Sequence, residues 1–419
     1  MKNTEYDIIV IGGGPAGMMA AGRASELGAK VLLLEKNDCL GKKLILTGGR
    51  RCNITNAEFN SRIFLENFPK AKQFLYTSFA QFDVKSTFDF FERRGLSLVV
   101  EEKKRAFPKS QKAEDVREIL IKYIEENGNV EVKFGAALES FILKDKKLVG
   151  IKTSNGIYKA KNIILATGGT AAPETGSTGE CFEMLRKIGH IVAESNPSLV
   201  PLRSPEKWVG ELSGLTTDKV KISFVQNGKT KIKNIGSLLF THFGISGPIV
   251  INSAHKVGEL LKNGKVLASV DFFPDLDEGE LNKMIFELFE KNKNKLCKNV
   301  LAEILPKKIV YTIFGFPSFD FEDKKIHSVT KEERKLLVKI FKDLRFPIDG
   351  LMGLDWSIVA DGGVIPQEIN FKTMASKLFP NLYLVGDAIN ISRPSGGFSL
   401  QLCWTTGWIA GGHAASGLK

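Results

Sequence analysis

Short apolar stretches that end in glycine stand out near both ends of the chain. Tyr6 to Ile11 precedes "GGGPAG", a second run lies in "KNIILATGG" at residues 161–169, and a third lies in "NLYLVGDAI" at residues 381–389. Runs of this kind are typical of parallel strands that are buried on both faces. The small residues of "PAGMMAAG" after the first run favour a closely packed helix. The pattern therefore predicts an α/β fold.

Alternating apolar and polar positions replace these runs in the middle of the chain. In "KVKISFVQNGKTKIK" two alternating stretches flank Asn227 and Gly228, which is a strong hairpin signal. Ser246 and Pro248 suit the start of a helix in "SGPIVINSAHKVGELL", and "KVLASVDFF" predicts a further strand. We expect a small β-rich subdomain here.

Helical periodicity follows this region. Asp277 and Glu280 have the spacing of a capping box at the start of "DEGELNKMIFELFEKNKNK", and Thr330 and Glu333 repeat that spacing at "KEERKLLVKIFKDL". Pro306 breaks the intervening helix predicted in "CKNVLAEIL". Apolar stripes at helical spacing are more often core than interaction surface. We interpret this part of the chain as a helical cap.

The first glycine-rich turn carries a binding signal. Gly12, Gly14 and Gly17 stand in GxGxxG order between a predicted strand and a predicted helix. The first glycine permits a tight turn, the second lets the backbone approach a diphosphate, and the third lets the helix lie close to the strand. Pro15 is tolerated because first-turn amides have no intrahelical partner, and Ala16 lies in the same turn. The turn predicts a dinucleotide site.

An acidic residue follows the second predicted strand. Val31 to Leu34 forms this strand, and Glu35 and Lys36 come directly after it. A carboxylate at this distance from the glycine turn accepts hydrogen bonds from both ribose hydroxyls of an adenosine. Glu35 therefore argues against a 2′-phosphate on that nucleotide.

The two later strands favour a flavin over a nicotinamide. One ends in Ala166, Thr167 and Gly168, and the other ends in Gly386 and Asp387. Glycines at strand ends let a long cofactor lie close to the sheet edge. A carboxylate at Asp387 can accept a hydrogen bond from a ribityl hydroxyl, which nicotinamide nucleotides lack. A simple turn is the alternative.

A helix start near the end of the chain adds to this argument. In "SRPSGGFSLQ", Gly396, Gly397 and Phe398 precede a helix-like run that starts at about Ser399 and includes Gln401. Amides at a helix N-terminus can bind the N1–C2=O edge of a flavin and stabilise the negative charge of its reduced form. We therefore predict tightly bound FAD.

These signals come from two separated parts of the chain. We expect a discontinuous, Rossmann-like FAD-binding domain at residues 1–193 and 346–419. A β-rich substrate domain is expected at residues 194–274 and 318–345, and the helical cap at residues 275–317. Such a cap would give the flavin a dry pocket.

Taken together, these segments resemble the BaiN-like and aminoacetone-oxidase-like NAD(P)/FAD-dependent oxidoreductases, within the two-dinucleotide-binding-domain flavoproteins. The resemblance runs nearly end to end, through "IGGGPAG", "GKKLILTGGRRCNITN", "LATGG", "LLFTHFGISGP", "GGV", "TMASKLFPNLYLVGD" and "SGGFSLQ". It implies that a loop at residues 41–56 lines the flavin with Lys43, Thr47, Gly48, Gly49, Arg51, Cys52 and Asn53. By charge, Lys43 and Arg51 suit a diphosphate, although a solvated basic loop is the alternative.

Two positions depart from the family pattern. The family usually has glycine where this chain has Arg50 in "TGGRRCN" and Cys181 in "STGECF". Either replacement changes local shape if the glycine served a close backbone approach. Cys181 is a buried filler or a reactive thiol.

Composition narrows the function classes. The net charge is +12, but Lys and Arg occur in short mixed runs, so we expect a solvated basic surface rather than a nucleic-acid site. Five scattered cysteines without a CxxC pair favour a reducing, cytoplasmic location, and five separated histidines indicate no metal site. The absence of a long apolar run predicts no membrane span.

We therefore predict an FAD enzyme that moves hydride from transiently bound NAD(P)H to an unsaturated or carbonyl-conjugated small molecule. The alternatives are an oxidase of a small aminoketone that uses O₂, an RNA-modifying or RNA-binding flavoprotein, and a redox sensor that uses Cys52 or Cys181. His242 is a candidate proton donor or a turn residue. Arg393 is a candidate site for an anionic substrate group or nicotinamide phosphate, with a surface ion pair as the alternative. The oligomeric state stays open.

Overall fold

The computed structural model describes residues 6–145, 147–197, 199–353, 356 and 360–418. The chain forms two compact units: unit 1 comprises the described residues up to 197 and from 356 onward, and unit 2 comprises residues 199–353.

The first part of unit 1 alternates strands and helices. Its elements are β1 (Tyr6–Ile11), α1 (Pro15–Glu26), β2 (Val31–Leu34), α2 (Thr47–Arg50), β3 (Thr55–Asn56), α3 (Ser61–Leu65), α4 (Lys72–Phe79), α5 (Val84–Arg93), β4 (Leu98–Glu101), β5 (Arg105–Pro108), α6 (Ala113–Glu125), β6 (Val130–Lys133), β7 (Leu138–Lys144), β8 (Lys147–Thr153), β9 (Gly156–Leu165), α7 (Glu180–Lys187) and β10 (Val192–Pro197).

Unit 2 is built from strands and then helices. Its elements are β11 (Leu202–Arg203), α8 (Lys207–Glu211), β12 (Thr216–Gln226), β13 (Lys229–Thr241), β14 (Gly244–Ser246), α9 (Pro248–Ile251), α10 (Ala254–Lys262), β15 (Val266–Asp271), α11 (Glu278–Lys291), α12 (Cys297–Leu301), α13 (Lys307–Phe314), α14 (Lys331–Lys342), β16 (Leu344–Ile348) and β17 (Gly350–Leu351). The chain then returns to unit 1 with β18 (Ala360–Val364), β19 (Ile369–Asn370), β20 (Ala375–Ser376), β21 (Leu382–Leu384) and α15 (Phe398–Ser416).

A parallel sheet forms the centre of unit 1. Strands β21, β9, β1, β2 and β6 lie side by side in that order, and each neighbouring pair is parallel. Ile11 lies opposite both Leu34 and Leu165, and Leu165 also lies opposite Leu384. Four strands therefore end level at one edge. This sheet confirms the predicted α/β, Rossmann-like architecture.

Helices α1 and α15 pack on one another through glycine. A Cβ atom added at Gly407 would lie 2.4 Å from the carbonyl oxygen of Ala16, and one at Gly411 would lie 2.3 Å from that of Ala20. The two helices touch backbone to backbone, so helices from the two ends of the chain share one core.

Unit 2 contains an antiparallel sheet in the order β16-β15-β12-β13-β14-β11-β17. Gln226 pairs with Lys229, and Asn227 and Gly228 adopt φ angles of 51° and 71° in the turn between them. This confirms the predicted hairpin, since such turns need positive φ at both central residues.

The predicted capping boxes are also confirmed. Asp277 accepts from Glu280 N at the start of α11, and Thr330 accepts from Glu333 N at the start of α14, with the reciprocal bonds present. Helices α11 to α14 share one buried apolar core with the unit 2 sheet. The helices thus belong to the same core as the strands instead of forming a separate layer.

The return to unit 1 lies later than the expected residue 346. Strand β16 continues to Ile348 and pairs with β15, and β17 pairs with β11. Backbone pairing within the unit 2 sheet places these residues there. Within the described ranges, no helix combines the length and apolar character needed to cross a membrane.

Candidate functional site

In the turn after β1, Gly17 is closely packed against the protein, whereas Gly14 is next to empty space. A Cβ atom at Gly17 would lie 1.8 Å from the Gly12 carbonyl oxygen, whereas one at Gly14 would meet no atom within 4 Å. Gly14 is the N-cap of α1 and has an extended backbone that other residues can adopt. Gly17 is therefore needed for helix packing, while Gly14 borders empty space.

The start of α1 faces the same space. Pro15 occupies the first turn, and the N-cap provides no side-chain acceptor. The N–H groups of a first helical turn lack intrahelical partners and carry a partial positive charge. The turn can therefore bind an anion such as a diphosphate.

Glu35 is held by backbone and side-chain donors. Its Oε2 accepts from Gly13 N at 2.7 Å, and its Oε1 accepts from Asn37 N at 2.9 Å and Asn37 Nδ2 at 2.7 Å. The side chain is buried, with 7% of the residue exposed. Gly13 and Asn37 were not predicted as site residues. The sequence signals for them are the glycine run that contains Gly13 and the amide residue two places after Glu35.

The end of β9 closes against the first turn. A Cβ atom at Gly12 would lie 2.4 Å from the Ala166 carbonyl oxygen. Thr167 donates from its hydroxyl to the sulfur of Cys181 at 2.8 Å. Burial raises the pKa of Cys181 to about 11, and the Thr167 hydrogen bond only partly opposes this. The geometry is that of a buried filler, not of a reactive thiolate.

Lys36 contacts Thr178 and Glu180. Its Nζ donates to the Thr178 hydroxyl at 2.9 Å and lies 3.6 Å from Glu180 Oε2. The side chain thus contacts the segment before α7.

Asp387 lies between two cations. Its Oδ1 accepts from Arg393 Nη2, and its Oδ2 lies 3.8 Å from Lys43 Nζ. Burial alone would raise the pKa of Asp387, but the charges of Arg393 and Lys43 outweigh it and hold this pKa below its ordinary value. The carboxylate is therefore ionised, and 19% of its side chain is exposed.

Arg393 is buried, whereas we expected either an accessible site for an anionic group or a surface ion pair. Its side chain is 2% exposed. Besides Asp387, it donates from Nε to Ser399 Oγ at 3.0 Å and from Nη1 to the Ile391 carbonyl oxygen at 2.5 Å. A guanidinium enclosed in this way is neither a surface ion pair nor an accessible anion site. It fixes Asp387 and the first turn of α15.

The short segment α2 before β3 is not a regular helix, because it contains three left-handed residues. Gly48, Gly49 and Arg50 have φ angles of 56°, 66° and 67°. Arg50 is exposed. Glycine would adopt this backbone at lower cost.

Arg51 is paired with side chains of β4 and of the turn after β5. Its Nη1 donates to Glu101 Oε1 at 2.9 Å and to Gln111 Oε1 at 2.8 Å, and its guanidinium lies 4.1 Å from the Phe107 ring centroid. Its positive charge forms an ion pair with the carboxylate of Glu101. The role of Arg51 as a diphosphate ligand stays a prediction.

Asn53 joins this loop to the start of α15. With its amide oriented so that both ends have partners, the amide nitrogen donates to the carbonyl oxygens of Ala106 and Thr55 at 3.2 and 3.0 Å, and the oxygen accepts from Gly397 N at 3.0 Å. A Cβ atom at Gly397 would lie 2.3 Å from the Thr55 carbonyl carbon. Asn53 and Gly397 thus serve the junction between two chain segments.

Three predicted cofactor residues are buried within the protein. Gln401 is fully buried; its Oε1 accepts from the hydroxyls of Thr55 and Thr87, and its Nε2 donates to the Asp83 carbonyl and the Thr405 hydroxyl. Cys52 is also fully buried, and burial raises its pKa to about 12. Phe398 packs against two phenylalanine rings of α3 and the turn that follows it. Because Gln401 and Cys52 have no exposed surface, their side chains pack inside the protein and cannot contact a ligand.

The other predicted site residues make local contacts. Thr47 donates to the Leu44 carbonyl oxygen at 2.7 Å, Gly386 N donates to the Thr406 hydroxyl at 3.0 Å, and Gly168 has a φ of 75°. His242 belongs to unit 2, where its ring centroid lies 4.8 Å from that of Phe243. Among the residues that the structure describes, no group of His, Cys, Asp and Glu side chains could hold a metal ion.

The unit 1 residues fit a long dinucleotide. Glu35 follows β2, the open turn follows β1, and Asp387 follows β21, all at the same sheet edge. In the strand order, β2 and β21 are separated by three strand spacings, or about 14 Å. An extended dinucleotide whose diphosphate sits at Gly14 can therefore reach a carboxylate on each side. In open α/β sheets this edge is where nucleotides bind.

The comparisons with known proteins agree with this geometry. The family described as "HI0933-like protein Rossmann domain" matches residues 6–413. A 3-dehydro-bile acid delta(4,6)-reductase of Clostridium scindens is 29% identical over 414 residues, which cover 97% of this chain and 98% of that protein. A ribosomal RNA dihydrouridine synthase of Escherichia coli is 27% identical over 406 residues, which cover 96% of each protein.

Solved structures show the same fold at low identity. A 3-ketosteroid delta1-dehydrogenase from Sterolibacterium denitrificans is 13% identical with a TM-score of 0.55, over 99% of this chain and 100% of that one. A quinol-fumarate reductase is also 13% identical with a TM-score of 0.55, over 99% of this chain and 72% of that one. The predicted family resemblance is confirmed, and the chain belongs to the HI0933-like Rossmann family of FAD-dependent oxidoreductases.

Proposed function

We propose that this protein is an FAD-dependent reductase of carbon–carbon double bonds conjugated to a carbonyl group, with NADH or NADPH as the electron source. The observation that carries the proposal is the bond chemistry shared by two relatives that match this chain nearly end to end. The name delta(4,6)-reductase of a 3-dehydro-bile acid describes reduction of double bonds that extend from a ketone. The name dihydrouridine synthase describes saturation of a pyrimidine double bond next to a carbonyl.

The residues of unit 1 have separate binding tasks in this proposal. The start of α1 and Gly14 bind the diphosphate, and Glu35 accepts from the adenosine ribose. Asp387 accepts from a ribityl hydroxyl on the other side of the diphosphate. When bound, FAD accepts two electrons from a reduced nicotinamide and passes them to the organic substrate.

Reduction of a conjugated double bond also needs a proton at the carbon next to the carbonyl. His242 is our candidate for the donor, because an imidazole group can act as a general acid. Arg393 does not bind the substrate in this proposal, since its guanidinium is enclosed by Asp387, Ser399 and Ile391. We assign it the positioning of Asp387.

A nucleic-acid substrate is the second candidate. Relatives from Escherichia coli and Haemophilus influenzae both carry the name ribosomal RNA dihydrouridine synthase, and this chain has a net charge of +12. Uridine in RNA contains the same conjugated double bond, so the two candidates differ in what surrounds the bond. Salt dependence separates them, because binding to a phosphate backbone weakens steeply as salt rises.

The first experiment is an absorbance spectrum of the purified protein followed by anaerobic titration with NADH and with NADPH. We expect flavin bands that bleach with one of these donors. Reoxidation of the reduced flavin is then tested without O₂, with a steroid dienone and with uridine-containing RNA. In a separate experiment, oxidised flavin is mixed with an aminoketone as the electron donor and then exposed to O₂. Reoxidation by the dienone or by RNA supports the reductase and selects its substrate.

Two results would overturn the proposal. Flavin that is reduced by an aminoketone and reoxidised only by O₂ would identify an oxidase instead. A protein that purifies and refolds without flavin would remove the cofactor assignment itself. The variant His242→Ala should bind FAD normally and bleach normally with the nicotinamide, but it should reoxidise more slowly with the unsaturated substrate.

A further inference from the structure

The cluster of Lys43, Asp387 and Arg393 holds one more positive charge than negative charge. Arg393 and Lys43 both face the single carboxylate of Asp387. The Arg393 side chain is only 2% exposed, while 24% of the Lys43 side chain and 19% of the Asp387 side chain are open. The cluster thus has a closed side at Arg393 and an open side at Lys43.

The partly closed surroundings of the cluster strengthen the interactions of this surplus charge. A Cβ atom at Gly386 would lie 3.5 Å from the sulfur of the buried Cys403, and one at Gly169 would lie 3.3 Å from the Asp387 carbonyl oxygen. Lys43 Nζ also donates to the Ala171 carbonyl oxygen at 3.0 Å, which fixes its position. Charges in such partly closed surroundings interact more strongly than they do in water.

The sheet order indicates which part of the cofactor lies nearby. The diphosphate turn follows β1, whereas Asp387 follows β21, two strand spacings or about 10 Å away and on the side opposite Glu35. If the adenosine lies at Glu35, the cluster lies toward the flavin end. This step rests on the proposed FAD binding.

We propose that the surplus positive charge of the Lys43–Asp387–Arg393 cluster stabilises the reduced, anionic isoalloxazine and so raises the flavin reduction potential. Two-electron reduction with uptake of one proton leaves this ring system with one negative charge. A nearby net positive charge favours that state over the neutral oxidised one. Lys43 supplies the surplus, because Arg393 alone already balances Asp387.

The test measures the midpoint potential of the bound flavin in variants that change the cluster charge in opposite directions. Lys43→Met removes the surplus, so the affinity for reduced relative to oxidised FAD should fall at least tenfold. That change equals a drop of about 30 mV for a two-electron couple. Asp387→Asn increases the net charge and should raise the potential.

Two further variants complete the set. Lys42→Met removes the same charge one residue away, and Lys42 forms no ion pair with Asp387 among the described residues. It should leave the potential unchanged. Lys43→Arg keeps the charge and should restore the wild-type value. Release of oxidised FAD from each holoenzyme is measured by fluorescence in parallel.

Shifts of the midpoint potential in opposite directions distinguish this proposal from structural damage, which would not depend on the sign of the charge removed. If both Lys43→Met and Asp387→Asn shift the potential in the same direction, or if neither shifts it, the proposal is overturned. Faster release of oxidised FAD from Lys43→Met at an unchanged potential would assign the charge to the diphosphate and also overturn it. Wild-type protein without FAD would instead refute the proposed function.

Discussion

With the Asn53 amide in the orientation that satisfies both of its ends, the side-chain oxygen accepts a hydrogen bond from the backbone N–H of Gly397 at 3.0 Å. This bond joins the loop before β3 to the turn before α15, so two distant parts of the chain meet at the edge of the candidate cofactor site. Asn56 lies beside it and donates to the Gly396 carbonyl oxygen at 3.4 Å. The site therefore depends on correct assembly of both ends of unit 1.

Gly14→Ala should separate cofactor binding from folding. A Cβ atom there meets no protein atom within 4 Å, so unfolding free energy of the apoprotein should change by less than about 0.5 kcal/mol. The dissociation constant for FAD should rise at least tenfold, because the methyl group occupies the space of the diphosphate. Denaturant unfolding and fluorescence titration check the two effects. By contrast, Gly17→Ala should destabilise the apoprotein by about 1–3 kcal/mol.

Gln401→Leu should lower the unfolding free energy by about 1–3 kcal/mol, because it removes the buried hydrogen bonds that Gln401 makes with Thr55, Thr87, the Asp83 carbonyl and Thr405. Urea unfolding measures this loss. Gln73→Leu, at an exposed position of α4, is the matched control and should be nearly neutral. Equal stability of the two variants would contradict the buried network.

Asp387 should make stability depend on acid pH. Its pKa in the folded protein lies below the ordinary value of 3.8. The ionised carboxylate therefore stabilises the folded state above about pH 4, and this contribution is lost as the pH falls from there through the folded pKa. Unfolding free energies between pH 6 and pH 3 should fall less steeply in Asp387→Asn than in the wild type. Parallel curves would refute the assignment.

Thiol titration should find one accessible cysteine. Cys39 is partly exposed, whereas Cys52, Cys181, Cys297 and Cys403 are buried. A thiol reagent should react with a single group in the native protein and with five after denaturation. Cys39→Ser should abolish the native reaction. Rapid native labelling of Cys181 would revive the redox-sensor alternative.

Arg50→Gly should stabilise the protein by about 1 kcal/mol, since it relieves a left-handed backbone at a residue that carries a Cβ atom. The φ angle of Arg50 is 67°. Arg50→Ala keeps the Cβ atom and should stay within about 0.5 kcal/mol of the wild type. Thermal or urea unfolding compares the three proteins. A destabilised Arg50→Gly would mean that the arginine side chain outweighs the backbone cost.

The sequence alone determined the local features of this protein. Glycine spacing and β-branched runs specified β1, the turn at Gly14, and the Asn227–Gly228 hairpin, because backbone preferences act within a few residues. The acid at Glu35 could be found for the same reason, since a fixed strand–turn–helix–strand unit sets its distance from the turn. The two capping boxes likewise depend on residues three positions apart.

Only the tertiary structure decided which side chains face the candidate site and which form its support. Gln401 and Cys52 lie within matching motifs, yet burial removes them from any ligand. Arg393 and Arg51 have the charge expected of phosphate ligands, but Asp387 and Glu101 occupy their guanidinium groups. These pairings join residues far apart in the chain. No local preference encodes them, because packing of the complete core sets which charges meet.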